Sequence, residues 1–289
     1  MRVLLTGADG QLGHELIRSC PAGTSLIATD VDTLDITDSS AVEAKLVAES
    51  PDWVINSAAY TAVDKAESDL DAATAINATA AGTIATLCRE QAVRLVQVST
   101  DFVFDGSAST PYLPEDKPGP LGVYGATKLA GEEAVLQALP DALVLRTSWL
   151  YSAHGANFVK SMLNLMQSKD ELGIVYDQVG SPTWASTLAN GVWGLIEKDA
   201  SGIHHCSDNG VASWYDFAVA IQEEALSAGL LSKAIPVRPI RSSEYPTPAK
   251  RPAYSVMDKR STETLLGEHF PHWRVSLRGM LTELASRES

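Results

Sequence analysis

Tyr124 and Lys128 stand four residues apart in Tyr124-Gly125-Ala126-Thr127-Lys128, and a helix would put both side chains on one face, about one turn apart. The chemistry open to such a pair is proton transfer. A phenol loses its proton near pH ~10 in water. A neighbouring ammonium stabilises the phenolate and brings that acidity toward neutrality, which makes a usable proton donor. By itself the spacing is common on surface helices. Upstream, however, lies Ser99-Thr100-Asp101 at the end of an apolar run. The carboxyl ends of parallel strands are where doubly wound sheets hold their ligands. Thr100 there would complete a hydroxyl, phenol and ammonium group around a carbonyl.

A second constellation opens the chain. Gly7-Ala8-Asp9-Gly10-Gln11-Leu12-Gly13 is a GxxGxxG directly after the apolar run Arg2 to Thr6. In a strand–turn–helix context the glycines provide a tight turn, close approach of a pyrophosphate and close helix–strand packing. The amides and dipole of the following helix favour the same anion. Asp30, at the end of the next strand candidate, can accept hydrogen bonds from ribose hydroxyls and would repel a 2′-phosphate. No Arg or Lys follows closely, so the local sequence leans toward NADH over NADPH. Asp32, Asp35 and Asp38 read as a solvated acidic loop.

Positioning these groups requires alternating strands and helices, and the first half of the chain has that rhythm. Strands are expected at Arg2 to Thr6, Leu26 to Thr29, Trp53 to Asn56, Leu95 to Ser99 and Leu143 to Thr147. Helices are expected at Gln11 to Ser19, Ser39 to Ser50, Ala72 to Glu90 and Val123 to Leu139. This pattern predicts an α/β fold, a Rossmann-type doubly wound parallel sheet with helices on both faces. Beyond about residue 150 the rhythm loosens, with helices expected at Asn157 to Gln167, Trp184 to Glu197 and Trp214 to Leu226. Short strands are expected at Leu172 to Val175 and Ile203 to Cys206, and five prolines between Pro236 and Pro252 predict extended or looped chain. The expected layout is a dinucleotide-binding domain over 1–150 and a smaller mixed α/β lobe over 151–289, mainly substrate-binding, with some segments crossing back.

Composition bounds the remaining classes. The 289 residues carry a formal net charge of -14, which argues against a nucleic-acid partner, since phosphate-backbone binding needs clustered Lys and Arg. Cys20, Cys88 and Cys206 are odd in number and far apart, with no CxxC, so neither a disulfide framework nor a zinc knuckle is expected and a reducing cytoplasmic setting fits. The N-terminal apolar run is too short for a signal peptide, and no stretch is long enough to span a membrane. His204-His205-Cys206 does not read as a metal site, because neighbouring strand residues face opposite ways. No metal is expected.

Taken together, GxxGxxG, a strand ending in Thr100 and YxxxK resemble the extended short-chain dehydrogenase/reductase superfamily. Within it, NSAAYTAVDKAE (56–67), VSTDFVFDG (98–106), VYGATKLAGE (123–132), LRTSWLY (145–151) and YPTPAKRP (245–252) resemble the dTDP-4-dehydrorhamnose reductase family, in family order over nearly the whole chain. The resemblance implies an NADPH- or NADH-dependent reduction of a keto group on a dTDP-linked deoxysugar. It implies that Tyr124 donates the proton, Thr100 bonds the reacting oxygen, and Lys128 holds the nicotinamide ribose and lowers the Tyr124 pKa. It places Gly7, Gly10, Gln11, Leu12, Gly13, Asp30, Ala58, Ala59 and Tyr60 against the cofactor. It assigns Thr61, Val63, Asp101, Phe102 and Trp149 to the sugar site and Arg251 to the diphosphate. By residue type alone, Trp149, Phe102 and Val63 read equally well as packing, and Asn77, which matches a recurrent superfamily Asn, as a solvated or backbone-bonding amide. Some members are dimers bridged by a cation on acidic residues. Glu15 and Glu283 fit that pattern but Ser186 stands where another Glu is expected, so a monomer or weak homodimer is anticipated.

Rival functions remain at this stage. A dehydratase of the same fold uses an Asp-Glu pair after the Thr, whereas Thr100-Asp101 is followed by Phe102. A sibling 4-ketoreductase of another deoxysugar pathway would share every motif above. A non-catalytic regulatory subunit, such as the methionine adenosyltransferase β subunit that resembles this family, would not need Thr100, Tyr124 and Lys128 together.

Overall fold

In the computed structural model residues 1–288 are described; Ser289, the last residue of the expected lobe, lies outside them. Five strands come from the first half: β1 (Arg2–Thr6), β2 (Ser25–Thr29), β3 (Trp53–Asn56), β4 (Arg94–Thr100) and β5 (Leu143–Thr147). With Gly202–His205 they form one six-stranded sheet, ordered 202–205, β5, β4, β3, β1, β2, and every pairing is parallel. β3 and β5 are buried at every position, as expected of central strands covered on both faces. The strand order reverses between β1 and β3. Such a switch point opens a crevice at the carboxyl ends of the strands.

Helices α1 (Gln11–Arg18), α2 (Ser39–Glu49), α3 (Val63–Ala66), α4 (Leu70–Thr74), α5 (Ala81–Glu90) and α6 (Val123–Ala138) connect these strands. The continuous helix expected over 72–90 starts at Leu70 and is interrupted by a π-helical turn, Ala75–Ala80. That wider turn lodges Asn77 against α6, where a side chain at Gly131 would meet the Asn77 carbonyl at 2.0 Å. Two apolar cores flank the sheet. One joins Leu4, Val54 and Leu95 to Leu46, Ile84 and Val135; the other joins Val3, Leu5 and Leu145 to Leu16, Leu188 and Val192.

The helix Ala185–Glu197 supplies Leu188 and Val192 to the second core. Together with strand 202–205, it brings chain from beyond residue 150 back onto the sheet. A third core, centred on Phe217, Ile221, Val159, Met162, Leu277 and Leu281, holds together the helices Phe158–Ser168, Trp214–Ser227 and Trp273–Glu288. The last of these, and Arg260–Leu266, have no counterpart among the expected elements. Within the proline-rich stretch, Val237–Ile240 pairs in parallel with Leu172–Val175, and a 3-10 turn follows at Ser242–Glu244. The two-stranded ribbon accommodates Pro239 because an edge strand can spare one donor.

Candidate active site

One large cleft, about 890 Å³, runs along the carboxyl ends of the strands. At one end is the glycine turn. Gly7 has φ +73°, and a Cβ there would lie 2.7 Å from the Ala58 nitrogen; a Cβ at Gly13 would lie 2.3 Å from the Gly7 carbonyl. Only glycine lets β1, β3 and α1 approach this closely. The N-cap of α1 is Gly10, with no side-chain cap, so the first-turn amides keep donors that an anion can take. The cradle fits a dinucleotide pyrophosphate by this test. Asp30 also lines the cleft; its carboxylate accepts from the Asp9 and Val31 amides, both at 2.8 Å, and so fastens β2 to the glycine turn.

The chemistry-bearing side chains meet in the middle. Thr100, Tyr124 and Lys128 all line the same cleft, Thr100 from the end of β4 and the other two from α6. Glu67 accepts from the Val123 amide at 2.8 Å, satisfying a donor in the first turn of α6. Lys128, 4% exposed, donates to the Val98 carbonyl at 2.7 Å. Burial pushes its ammonium down to about 8, partly offset by Glu132. Glu132 is itself buried in an ion pair with Arg146 at 2.7 Å and accepts from the Ser99 hydroxyl.

Tyr124 departs from expectation. Its phenol is pushed up to about 12, chiefly by burial; the Thr100 hydroxyl pulls it down and Asp101 pushes it up. The Lys128 ammonium is engaged by the β4 backbone. Asp101, 1% exposed, is raised to about 6 by burial. It accepts from Thr100 at 3.1 Å, and hydrogen bonding by Ser255 and Thr100 opposes that rise.

Of the other expected residues, Gly10, Gln11, Leu12, Ala58, Ala59, Thr61, Val63, Phe102, Trp149 and Arg251 line the cleft. Tyr60 does not. Its hydroxyl donates to Asp69 at 3.0 Å, and its backbone is clamped by Asn77, which accepts from the Tyr60 amide and donates to its carbonyl. Asn77 also donates to Thr127, so its amide ties the Ala58–Thr61 loop to α6.

Trp149 sits at φ +48° and stacks on Trp214 with ring centroids 3.5 Å apart. A Cβ at Gly180 would strike the Trp149 ring at 2.6 Å. Trp214 and Gly155-Ala156-Asn157 line the cleft without having been anticipated. Their contribution depends on the lobe folding over the sheet, for example through the Asn157–Gln11 hydrogen bond at 2.9 Å, and no local motif announces it. His205 bonds the Asp258 carbonyl and Cys206 lies in the core. Away from the cleft, one ligand atom each from Glu15, His154 and Glu283 lie within 4.8 Å of one another. Arg18 pairs with both glutamates and donates to Ser186 at 3.2 Å. His154, stacked on His14 at 4.1 Å, is a member of this cluster that spacing could not reveal.

Residues 1–286 match the model of a family described as RmlD substrate binding domain. The chain belongs to that family. It is 41% identical over 99% of its length to the spore coat polysaccharide biosynthesis protein SpsK of Bacillus subtilis, covering 98% of that protein. It is 38% identical to the dTDP-4-dehydrorhamnose reductase of Escherichia coli, with 98% of each chain covered. Among solved structures, the dTDP-4-dehydrorhamnose reductase of Bacillus anthracis, in complex with NADP, superimposes with a TM-score of 0.92 at 36% identity, over 98% of this chain and 99% of that one. The fold is Rossmann-type, and no helix among the described residues is long and apolar enough to cross a membrane.

Proposed function

We propose that this protein is an NADPH- or NADH-dependent oxidoreductase that reduces the C4 keto group of dTDP-4-dehydro-6-deoxy-L-mannose to give dTDP-L-rhamnose. The observation that carries the reading is that one cleft contains both a glycine cradle for a dinucleotide and the Thr100, Tyr124 and Lys128 side chains. Family membership narrows the substrate to a dTDP-linked deoxysugar.

Gly7, Gly10, Gln11, Leu12 and Gly13 hold the pyrophosphate, Asp30 faces the adenosine ribose, and Ala58 and Ala59 permit close approach after β3. Bound there, the nicotinamide cofactor supplies the hydride. Thr100 orients the sugar's C4 oxygen and Lys128 holds the nicotinamide ribose. Tyr124 gives its proton to the C4 oxygen as negative charge develops on it. A phenol raised to about 12 keeps its proton at neutral pH. It is nevertheless a far stronger acid than an alcohol, so proton transfer to the developing alkoxide runs downhill. Thr61, Val63, Asp101, Phe102 and Trp149 form the sugar pocket and Arg251 takes the diphosphate. The same reading has residues 1–150 serving mainly the cofactor and 151–289 mainly the sugar nucleotide, in a cytoplasmic monomer or weak homodimer without nucleic-acid or membrane partners.

The test is incubation with dTDP-4-dehydro-6-deoxy-L-mannose and each reduced cofactor, following cofactor absorbance and identifying the product sugar. Consumption of cofactor with formation of dTDP-L-rhamnose is expected. Substrate binding without cofactor oxidation would mean a binding subunit, and a different C4 epimer would mean a sibling ketoreductase.

A further inference from the structure

Among the described residues lining the cleft, only Lys128 and Arg251 are cationic, against the carboxylates of Asp9, Asp30, Asp35 and Asp101. Lys128 is buried and bonded to the β4 backbone, which leaves Arg251 as the cation available to a second anion. Yet Arg251 is already engaged. Its Nη1 donates to Asp64 Oδ1 at 3.1 Å and its Nη2 to Asp64 Oδ2 at 2.9 Å. Nη1 also donates to Thr247 Oγ1 at 2.8 Å and, more weakly, to the Ala249 carbonyl at 3.3 Å.

A guanidinium has five N–H donors in a rigid plane. The contacts above take both Nη1 protons and one of Nη2. They leave the Nε proton and the second Nη2 proton, which lie side by side on one edge of the plane and match two oxygens of a phosphate. Asp64 also accepts from the Ala249 amide at 3.1 Å, and Thr247 donates to the Ala249 carbonyl at 2.9 Å. The strap 247–251 is thus folded around the guanidinium and pinned at one point to α3, next to the cleft-lining Val63.

We propose that Asp64 is a positioning residue: by occupying the Nη1/Nη2 end of Arg251, it fixes the side chain so that the Nε/Nη2 edge is kept for the diphosphate of the nucleotide sugar. The inference rests on the reading of Arg251 as a diphosphate ligand. Its physical basis is that a long, flexible side chain ordered before binding loses less freedom when the anion arrives. An acidic neighbour at the far edge serves this purpose in a cleft otherwise rich in carboxylates, because it holds the guanidinium without covering the edge that the anion uses.

The experiment compares Asp64→Asn, Arg251→Ala and the double variant in the full-length protein, measuring dTDP and thymidine affinity and steady-state kinetics. In the unaltered protein dTDP is expected to bind more tightly than thymidine. Asp64→Asn is expected to narrow that gap about tenfold, the order of effect of releasing one ordered side chain. It should raise KM for the nucleotide sugar by a similar factor and leave kcat, the cofactor KM and the melting temperature essentially unchanged. Arg251→Ala should close most of the gap, and adding Asp64→Asn to it should do nothing more.

If Arg251→Ala leaves the dTDP–thymidine gap intact, the reading of Arg251 itself fails. If Arg251→Ala closes the gap but Asp64→Asn does not narrow it, or tightens dTDP binding, the positioning inference alone is overturned; tightening would mean that Asp64 competes with the phosphate. An Asp64→Asn effect that persists undiminished in the Arg251→Ala background, or equal losses of kcat and cofactor affinity, would show a general disturbance of α3 and likewise overturn it.

Discussion

The two ends of the cleft are built on different principles. At the end proposed for the cofactor, backbone does most of the work: Gly7, Gly10 and Gly13 come from a single run of chain, and they let main-chain atoms approach closely. At the end proposed for the sugar nucleotide, side chains do it: Trp149 is backed by Trp214, and Arg251 is held by Asp64 from the far side of the sequence. A contiguous loop after a strand is geometrically committed once the strand and helix form. A wall made of residues far apart in sequence exists only after the third core has assembled the lobe. Substitutions should therefore separate cleanly into effects on cofactor and effects on sugar nucleotide, with the proton-transfer group between them affecting turnover.

The largest effect is expected at that central group. Tyr124→Phe should lower kcat by ~10²–10⁴-fold while cofactor affinity measured by fluorescence titration stays within about threefold, since only the proton donor is removed. A near-normal rate would place the acid elsewhere. Next comes the backbone end. Gly13→Ala puts a methyl 2.3 Å from the Gly7 carbonyl and 2.4 Å from that of Ala8. It should cost about 1–3 kcal/mol of stability in denaturant titration, as overpacking does, and weaken cofactor binding more than dTDP binding.

At the other end, Trp214→Ala removes the surface that holds Trp149 at its left-handed φ. Aromatic stacking is worth about 0.5–1.5 kcal/mol beyond its buried area, so KM for the nucleotide sugar should rise by about tenfold with the cofactor KM unchanged. Equal changes in both constants would contradict the division of the cleft. The smallest effect is a pH dependence. Burial lowers Lys128 to about 8, so its ammonium is present below that value and is lost as pH rises through it. The reductive kcat/KM should decline over that range. Lys128→Arg, whose charge persists, should abolish that decline even if its absolute rate is lower.

Much of the fold and part of the site were legible without coordinates. The strands β1 to β5 announce themselves as apolar runs between glycine or polar turns, and β3 over 53–56 and β5 over 143–147 have the expected bounds. The helix over 72–90 was legible as helical but not as a chain with a π-turn at Ala75–Ala80. That turn answers to the packing of Asn77 against Tyr60, Thr127 and the Gly131 gap, which are tertiary facts. The helix Trp273–Glu288 was missed because its sequence mixes Arg and Glu with its apolar residues. Its polar face is explained only by partners such as Glu224, which pairs with Arg274 and Arg278. Tyr60, adjacent in sequence to cleft-lining Ala59 and Thr61, faces Asp69 instead.

Sequence by itself determined the alternation of strands and helices in the first half of the chain, the glycine turn and the shared helical face of Tyr124 and Lys128, because each follows from local backbone geometry and side-chain periodicity. Tertiary structure decided which groups set the protonation of that pair. Burial, not residue type, raises Tyr124 and lowers Lys128, and the Val98 carbonyl determines where the ammonium sits. It also decided that Trp214 stands behind Trp149 and Asp64 behind Arg251, since no periodicity relates residues 149 and 214, or 64 and 251, until the lobe closes on the sheet.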